Sequence, residues 1–271
     1  MVLAGLLAPA VFLCALASAR AGETTVGVTL NPTIGAHSEG PNDRQTLPII
    51  PAPIFSLEYK TGRLAFFFEG LPPIGPVAFN GTSLSHATGT KISLFDGAAR
   101  YALPNSRVWI GLGETVINQA TTYRTISAGG SVIQPPDPTA YPVTNVFDQR
   151  DVSRVVGARF EVGANLWKRA GQRLDILVAA SPNMHARLDR WLSSTYVSNA
   201  PGWSTPHSEY SVTVAEQASL VDGQVRWSLT RGRSIWSLGL RYVNHIARFD
   251  NGNLADRNSL VLPFVGWATR I

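Results

Sequence analysis

The chain has 271 residues, 45% of them hydrophobic and 15% charged, which is too apolar for a disordered segment and long enough for one large β domain or two ordinary ones. A mean hydropathy close to zero excludes a protein built of several transmembrane helices. The net charge is +5, but its 20 Arg and 3 Lys are scattered among Asp and Glu instead of gathered on one stripe or arm, so nucleic acid is not an expected partner.

From Val2 to Ala19 the chain carries no charge, and it then offers two small-residue cleavage sites, Ala17-Ser18-Ala19 and Ala19-Arg20-Ala21. Residues 1–21 are therefore expected to be a signal peptide, leaving 22–271 as the mature domain. No Lys or Arg precedes the apolar run, so its positive flank is reduced to the amino terminus. An uncleaved anchor helix is the alternative; a lipoprotein is disfavoured, because Leu13 before Cys14 is too large for a lipobox. Cys14 is the only cysteine. The mature chain would thus lack disulfides, thiolate catalysis and Cys-ligated zinc.

Beyond residue 22 the recurring pattern is alternation with period two, which predicts strands with two unlike faces. A first strand is expected near Thr24–Ile34. Tight turns follow at Lys60-Thr61-Gly62, Pro104-Asn105-Ser106, Arg169-Ala170-Gly171-Gln172 and Arg231-Gly232-Arg233. Longer polar segments lie between them, near 37–50, 71–88, 124–151, 192–208 and 249–258. The longest holds a stiff Gln134-Pro135-Pro136-Asp137-Pro138 stretch that is expected to fold over a mouth or reach a partner. The alternation is clearest from Val152 to Leu166, where Val156, Ala158, Phe160, Val162, Ala164 and Leu166 oppose Ser153, Gly157, Arg159, Glu161, Gly163 and Asn165. It recurs from Arg173 to Asp189 and from Trp236 to Tyr242. Residues 209–220 do not share the apolar parity of 221–229 unless a bulge separates them. Gly111 and Gly113 mark close strand packing or a bulge, since the third glycine and the following helix of a nucleotide loop are missing.

Short and long connections alternate strictly, which gives ten strands. Trp109, Trp167, Trp227, Trp236 and Trp267 fall near tight turns or the C-terminus; all but Trp167, whose parity is wrong, make an expected aromatic girdle. Val261, Pro263, Val265, Trp267, Thr269 and Ile271 share one face of the last strand. Together these features resemble the bacterial outer-membrane β-barrels. The resemblance is to the architecture over the whole mature chain and to no single family; Ile271 stands where an aromatic is usual. It implies an all-β fold: one closed antiparallel transmembrane barrel of about ten strands, with short periplasmic turns and longer extracellular loops. Its implied partners are outer-membrane lipid, the barrel-assembly machinery through the C-terminal strand, and an extracellular ligand at the loops. The implied location is the outer membrane, after signal cleavage.

With the apolar face toward lipid, the lumen is expected to hold a charge network of Arg159, Glu161, Arg173, Asp175, Arg187, Asp189, Arg226 and Arg241, with Glu58 beside it. Buried charges of both signs must pair. A structural or surface-binding role is favoured over enzyme activity, with a narrow polar channel as a variant. The enzyme alternative rests on His185, Glu216 and His245, placed by parity and height in the outward half of the lumen, with Ser208 and Asp250 nearby. Histidine beside a carboxylate suits general-base work. Outer-membrane proteases of the omptin type and lipid A acyl-hydrolases place such groups near the same rim, but none of their local motifs occurs here. No cofactor and no metal site is expected. A soluble secreted β-barrel or sandwich, with its charges outside, is the third reading.

Overall fold

The computed structural model describes residues 22–32, 34–38, 44–47, 51–77, 85–133, 135–249 and 254–271, and the expected signal peptide lies outside them. Twelve strand segments follow in order: β1 (Glu23–Pro32), β2 (Ile34–Ser38), β3 (Arg44–Leu47), β4 (Pro51–Thr61), β5 (Leu64–Val77), β6 (Ser85–Ala102), β7 (Val108–Ile133), β8 (Ala140–Arg169), β9 (Gln172–Ser198), β10 (His207–Arg231), β11 (Ser234–Phe249) and β12 (Leu254–Arg270). From β4 onward each pairs antiparallel with the next, and β12 pairs back onto β1, so the sheet closes. β2 continues β1 along the same neighbour: β12 meets β1 at Val265↔Leu30 and β2 at Val261↔Ile34. β3 likewise pairs with β2 as β4 pairs with β1. The barrel therefore has ten staves, the expected number. Pro32 and Pro263 fall where the β12 ladder passes from β1 to β2, an irregularity of the kind at which strand prolines are tolerated.

Four tight turns close one end. Each carries a residue with positive φ: Gly62 (57°), Asn105 (52°), Ala170 and Gly171 (46° and 83°) and Gly232 (60°). Such backbone matches the twist of paired strands, and two positive φ values in succession at Ala170-Gly171 are the type I′ signature. Glu23 and Arg270 lie at this same end and form an ion pair of 2.6 Å.

Strand length departs from expectation. β7 to β10 run for 26, 30, 27 and 25 residues. Thirty residues at about 3.3 Å each make roughly 100 Å of strand, against an apolar band of about 25 Å in this class. Residues 124–151 and 192–208 were expected as loops. Their described residues are instead mostly strand, and those without strand structure are 135–139 and 199–206. Thr121 to Thr125 and Val143 to Phe147 are good strand formers whose two faces are both partly solvated, so no apolar alternation announces them.

The distribution of burial is inverted relative to a soluble protein. Arg159 and Glu161 are 2% exposed, whereas Phe160 and Val162 beside them are more than half exposed. Leu112, Phe55, Leu238 and Val265 are exposed in the same way. The apolar face is outside and the polar face inside.

Candidate functional site

The residues facing the lumen at mid-height form one ion-pair network. Arg241 on β11 donates from Nε to Asp222 Oδ1 (2.9 Å) and from Nη2 to Asp222 Oδ2 (2.8 Å). It also reaches Asp96 Oδ2 at 3.2 Å and is bonded to Glu69. Arg159 on β8 donates to Glu161 Oε1 (2.7 Å) and Asp222 Oδ2 (2.8 Å), with Asp96 at 3.6 Å. Arg100 on β6 closes the set on Glu161 at 2.7 Å, its guanidinium lying 3.8 Å from the Phe67 ring and 4.6 Å from Trp109. The Thr115 hydroxyl donates to Asp96 Oδ1 at 2.6 Å. Three arginines thus share four carboxylates contributed by β5, β6, β8 and β10. Taking such charges out of water costs several kcal/mol each, and only multiple close partners offset it.

On the long-loop side of this layer the lumen turns apolar. Val155, Met184, Ala186, Ala218, Leu220 and Ala247 pack together, with Ile117 and Val243 against them. On the short-turn side it opens into two adjoining cavities of about 410 and 420 Å³, which share Glu58, Lys60, Lys168, Arg173 and Arg226. One glycine makes room for a lumen side chain and another for the close approach of a neighbouring strand. A Cβ on Gly163 would meet the Trp109 ring at 2.1 Å, and one on Gly113 would meet the Gly97 carbonyl at 1.8 Å, the close packing expected of that strand.

Arg159, Glu161 and Arg241 take their expected places at the centre. Arg173 and Asp175 pair with each other at 2.5 Å nearer the short turns. Arg226 is also in the lumen, bonded to Gln224 at 3.3 Å and lying over Phe264. Arg187 and Asp189 are corrected: they are exposed, pair with each other on the outer face at 3.0 Å, and take no part in the network. The cause is a bulge in β9. Ala218 pairs with Met184 but Leu220 with Ser181, so β9 carries one extra residue, and Asn183 adopts φ 53° there. Ser181 and Met184, both fully buried, face inward, and every parity above them is reversed.

The same bulge undoes the histidine constellation. His185 is exposed on the outside, opposite Val156. Glu216 and His245 are both buried in the lumen. They pair with Phe249 and Leu220 respectively, which sets them four rungs apart, about 13 Å along the ladder. Ser208 is exposed, and Asp250 lies outside the described residues. The three candidate catalytic residues are not brought together.

The girdle is corrected at one position. Trp236 and Trp267 are exposed directly opposite each other on β11 and β12, with Trp227 on the same face of β10. Trp109 instead points into the lumen beneath Arg100. A register shift between Asn165 and Trp167 turns Trp167 outward, where its parity had placed it inside. Glu69, Asp96, Asp222 and Arg100 were not singled out from sequence. Asp222, Gln224 and Arg226 do alternate, and that parity was the available signal for Asp222.

No family model matches the chain, and no curated protein matches it. Among solved structures it resembles the outer membrane protease OmpT from Escherichia coli, at 9% identity over 92% of this chain and 97% of that one, with a TM-score of 0.51. The fold is that of an outer-membrane β-barrel. The monoaromatic hydrocarbon channel CymD aligns over 95% of this chain and 91% of its own at 10% identity and a TM-score of 0.47. The translocator domain of the autotransporter NalP from Neisseria meningitidis aligns over 98% and 95% at 10% identity and a TM-score of 0.37. At such identities the likeness carries fold and nothing of activity.

Proposed function

We propose that this protein is an integral outer-membrane barrel with a filled lumen, acting as a structural or surface-binding protein that presents its tall β7–β10 wall outside the cell. The observation that carries the reading is the inversion of burial: Arg159, Glu161, Asp96 and Asp222 are among the most buried side chains while large apolar residues cover the outer wall. Exposed apolar area on that scale needs lipid around it, and a closed barrel leaves no unpaired edge in the bilayer. Short turns then face the periplasm and the long strands the exterior. Outer-membrane lipid is the partner of the apolar belt. The assembly machinery is the partner of β12, which presents Val261, Val265, Trp267 and Ile271 outward. The Asp137 loop at the top of the wall is the surface offered to an extracellular ligand.

Two other roles find less support. A polar channel would have to pass the Arg159–Arg241 layer and the apolar layer above it. A hydrolytic site would need His185, which faces outward, beside Glu216 and His245. The test is electrophoretic. Residues 22–271, refolded in detergent, should migrate faster unheated than boiled. Identical migration, with the protein soluble in detergent-free buffer, would leave a secreted β domain instead.

A further inference from the structure

The lumen on the short-turn side of the network is strongly unbalanced in charge. Nine Lys or Arg against four acids line the first cavity. Arg100, Arg159 and Arg241 are satisfied by the carboxylates of the central layer, and Arg173 by Asp175. Lys60, Arg63, Arg107, Lys168 and Arg226 have no ion pair among the described residues, and Glu58 is the one acid lining this cavity that has no ion pair of its own there. Two of the cations are opposed by register: Lys168 pairs with Arg173 across β8 and β9, on the lumen side. Asp175 answers Arg173, whereas Lys168 opposite it has no ion pair among the described residues. Arg226, one strand further on, is opposite Asp175, and its Nε is buried with no hydrogen-bond partner.

Arg226 lines both cavities together with Lys60, Lys168 and Arg173, so four cationic side chains border one shared space. Guanidinium and ammonium donors suit a phosphate oxygen set. The cavities, at about 410 and 420 Å³, are of small-molecule size, since ligand pockets typically hold roughly 300–1,000 Å³. The central layer closes the inner end, so a ligand enters and leaves by the short-turn mouth. We propose that this vestibule binds a phosphate group, free or as a monoester, with Arg226 at the bottom, Arg173 and Lys168 on one wall and Lys60 on the other. The inference is independent of the surface-binding role: it concerns the opposite end of the barrel.

Calorimetric titration of the refolded protein at low ionic strength, with inorganic phosphate in one arm and glycerol phosphate in the other, tests it. Saturable binding of either supports the site, and the tighter arm identifies the source. Arg226→Gln and Lys168→Gln should each weaken binding at least about tenfold, whereas Arg187→Gln, on the outer wall, should leave it unchanged. Lys168 is exposed at the rim, so its variant reads the site even if Arg226→Gln does not fold; retained heat-modifiability establishes folding in each case. No saturable binding in either arm, equal loss in Arg187→Gln, or binding of an oligoglutamate peptide with none of phosphate would overturn the proposal.

Discussion

Arg241 and Asp222 meet side-on across β10 and β11, with both nitrogens of one edge of the guanidinium on both carboxylate oxygens. This bidentate pair is the centre of a layer in which Glu69 has one arginine and Asp96, Glu161 and Asp222 have two each. Removing the cation leaves Glu69, Asp96 and Asp222 facing one another with only Arg159 between them. Arg241→Leu should therefore cost about 3–5 kcal/mol, read as a shift in urea unfolding of the barrel in detergent. The double variant Arg241→Met/Asp222→Leu should recover part of that loss. A single variant as stable as the parent would mean that the network is not what fills the barrel.

The tryptophans divide by face. Trp236 and Trp267, opposite each other near the short turns, should be quenched by lipids brominated close to the headgroup. Trp109, stacked beneath Arg100 in the lumen, should not. Single-tryptophan variants in vesicles make the comparison, and quenching of Trp109 to the same degree would contradict its inward placement.

The bulge at Asn183 sets which residues of β9 see the lumen. Its φ of 53° suits Asn and Gly and opposes β-branched side chains. Asn183→Gly should be near neutral, and Asn183→Val should destabilise by roughly 1–2 kcal/mol. Cysteine at 185 should react with a membrane-impermeant maleimide in intact cells, while cysteine at 184 should stay protected until the barrel is unfolded.

The tip of the β7–β8 hairpin is clipped by Asp137. Hydrogen bonds from the Thr139 hydroxyl, from the Tyr141 hydroxyl (2.6 Å to Oδ2) and from the Thr139 backbone N–H (2.9 Å to Oδ1) hold its carboxyl below the ordinary value of 3.8. A carboxylate with a lowered folded-state pKa contributes its stabilisation above the unfolded value and loses it as pH falls through the folded one. The Tyr141 ring signals of the folded protein should therefore be constant from neutral pH down to about 5, and shift only below the ordinary carboxylate range. Asp137→Asn should abolish that shift. A transition near neutrality would mean that another group controls the loop.

Ten staves, the closure and the inward charges were legible because Arg159, Glu161 and Arg241 sit in unbroken alternation beside Phe160, Val162 and Leu240. The errors share one cause. Parity propagates only until a strand gains a residue, and the extra residue in β9 is marked only by Pro182-Asn183, a proline without a ladder N–H followed by a residue that tolerates positive φ. His185, Arg187 and Asp189 were all carried to the wrong side by it. Residues 209–220 hid a different fact. From Glu216 onward their register with β11 is continuous, with no parity break in β10, and Ala218 and Leu220 turn inward into the apolar layer. Glu69 and Asp96 were missed because they are single charges in aromatic and small-residue surroundings, and only the closing of the barrel brings them to Arg241.

Planar-bilayer recording of the inserted protein tests the filled lumen most directly. With Arg159, Arg241 and the Met184 layer in place, insertion should add no discrete conductance steps at low voltage, with insertion itself established by bromolipid quenching of Trp236. Stable, reproducible channels from the unaltered protein would contradict a filled lumen and return the barrel to the class of polar conduits.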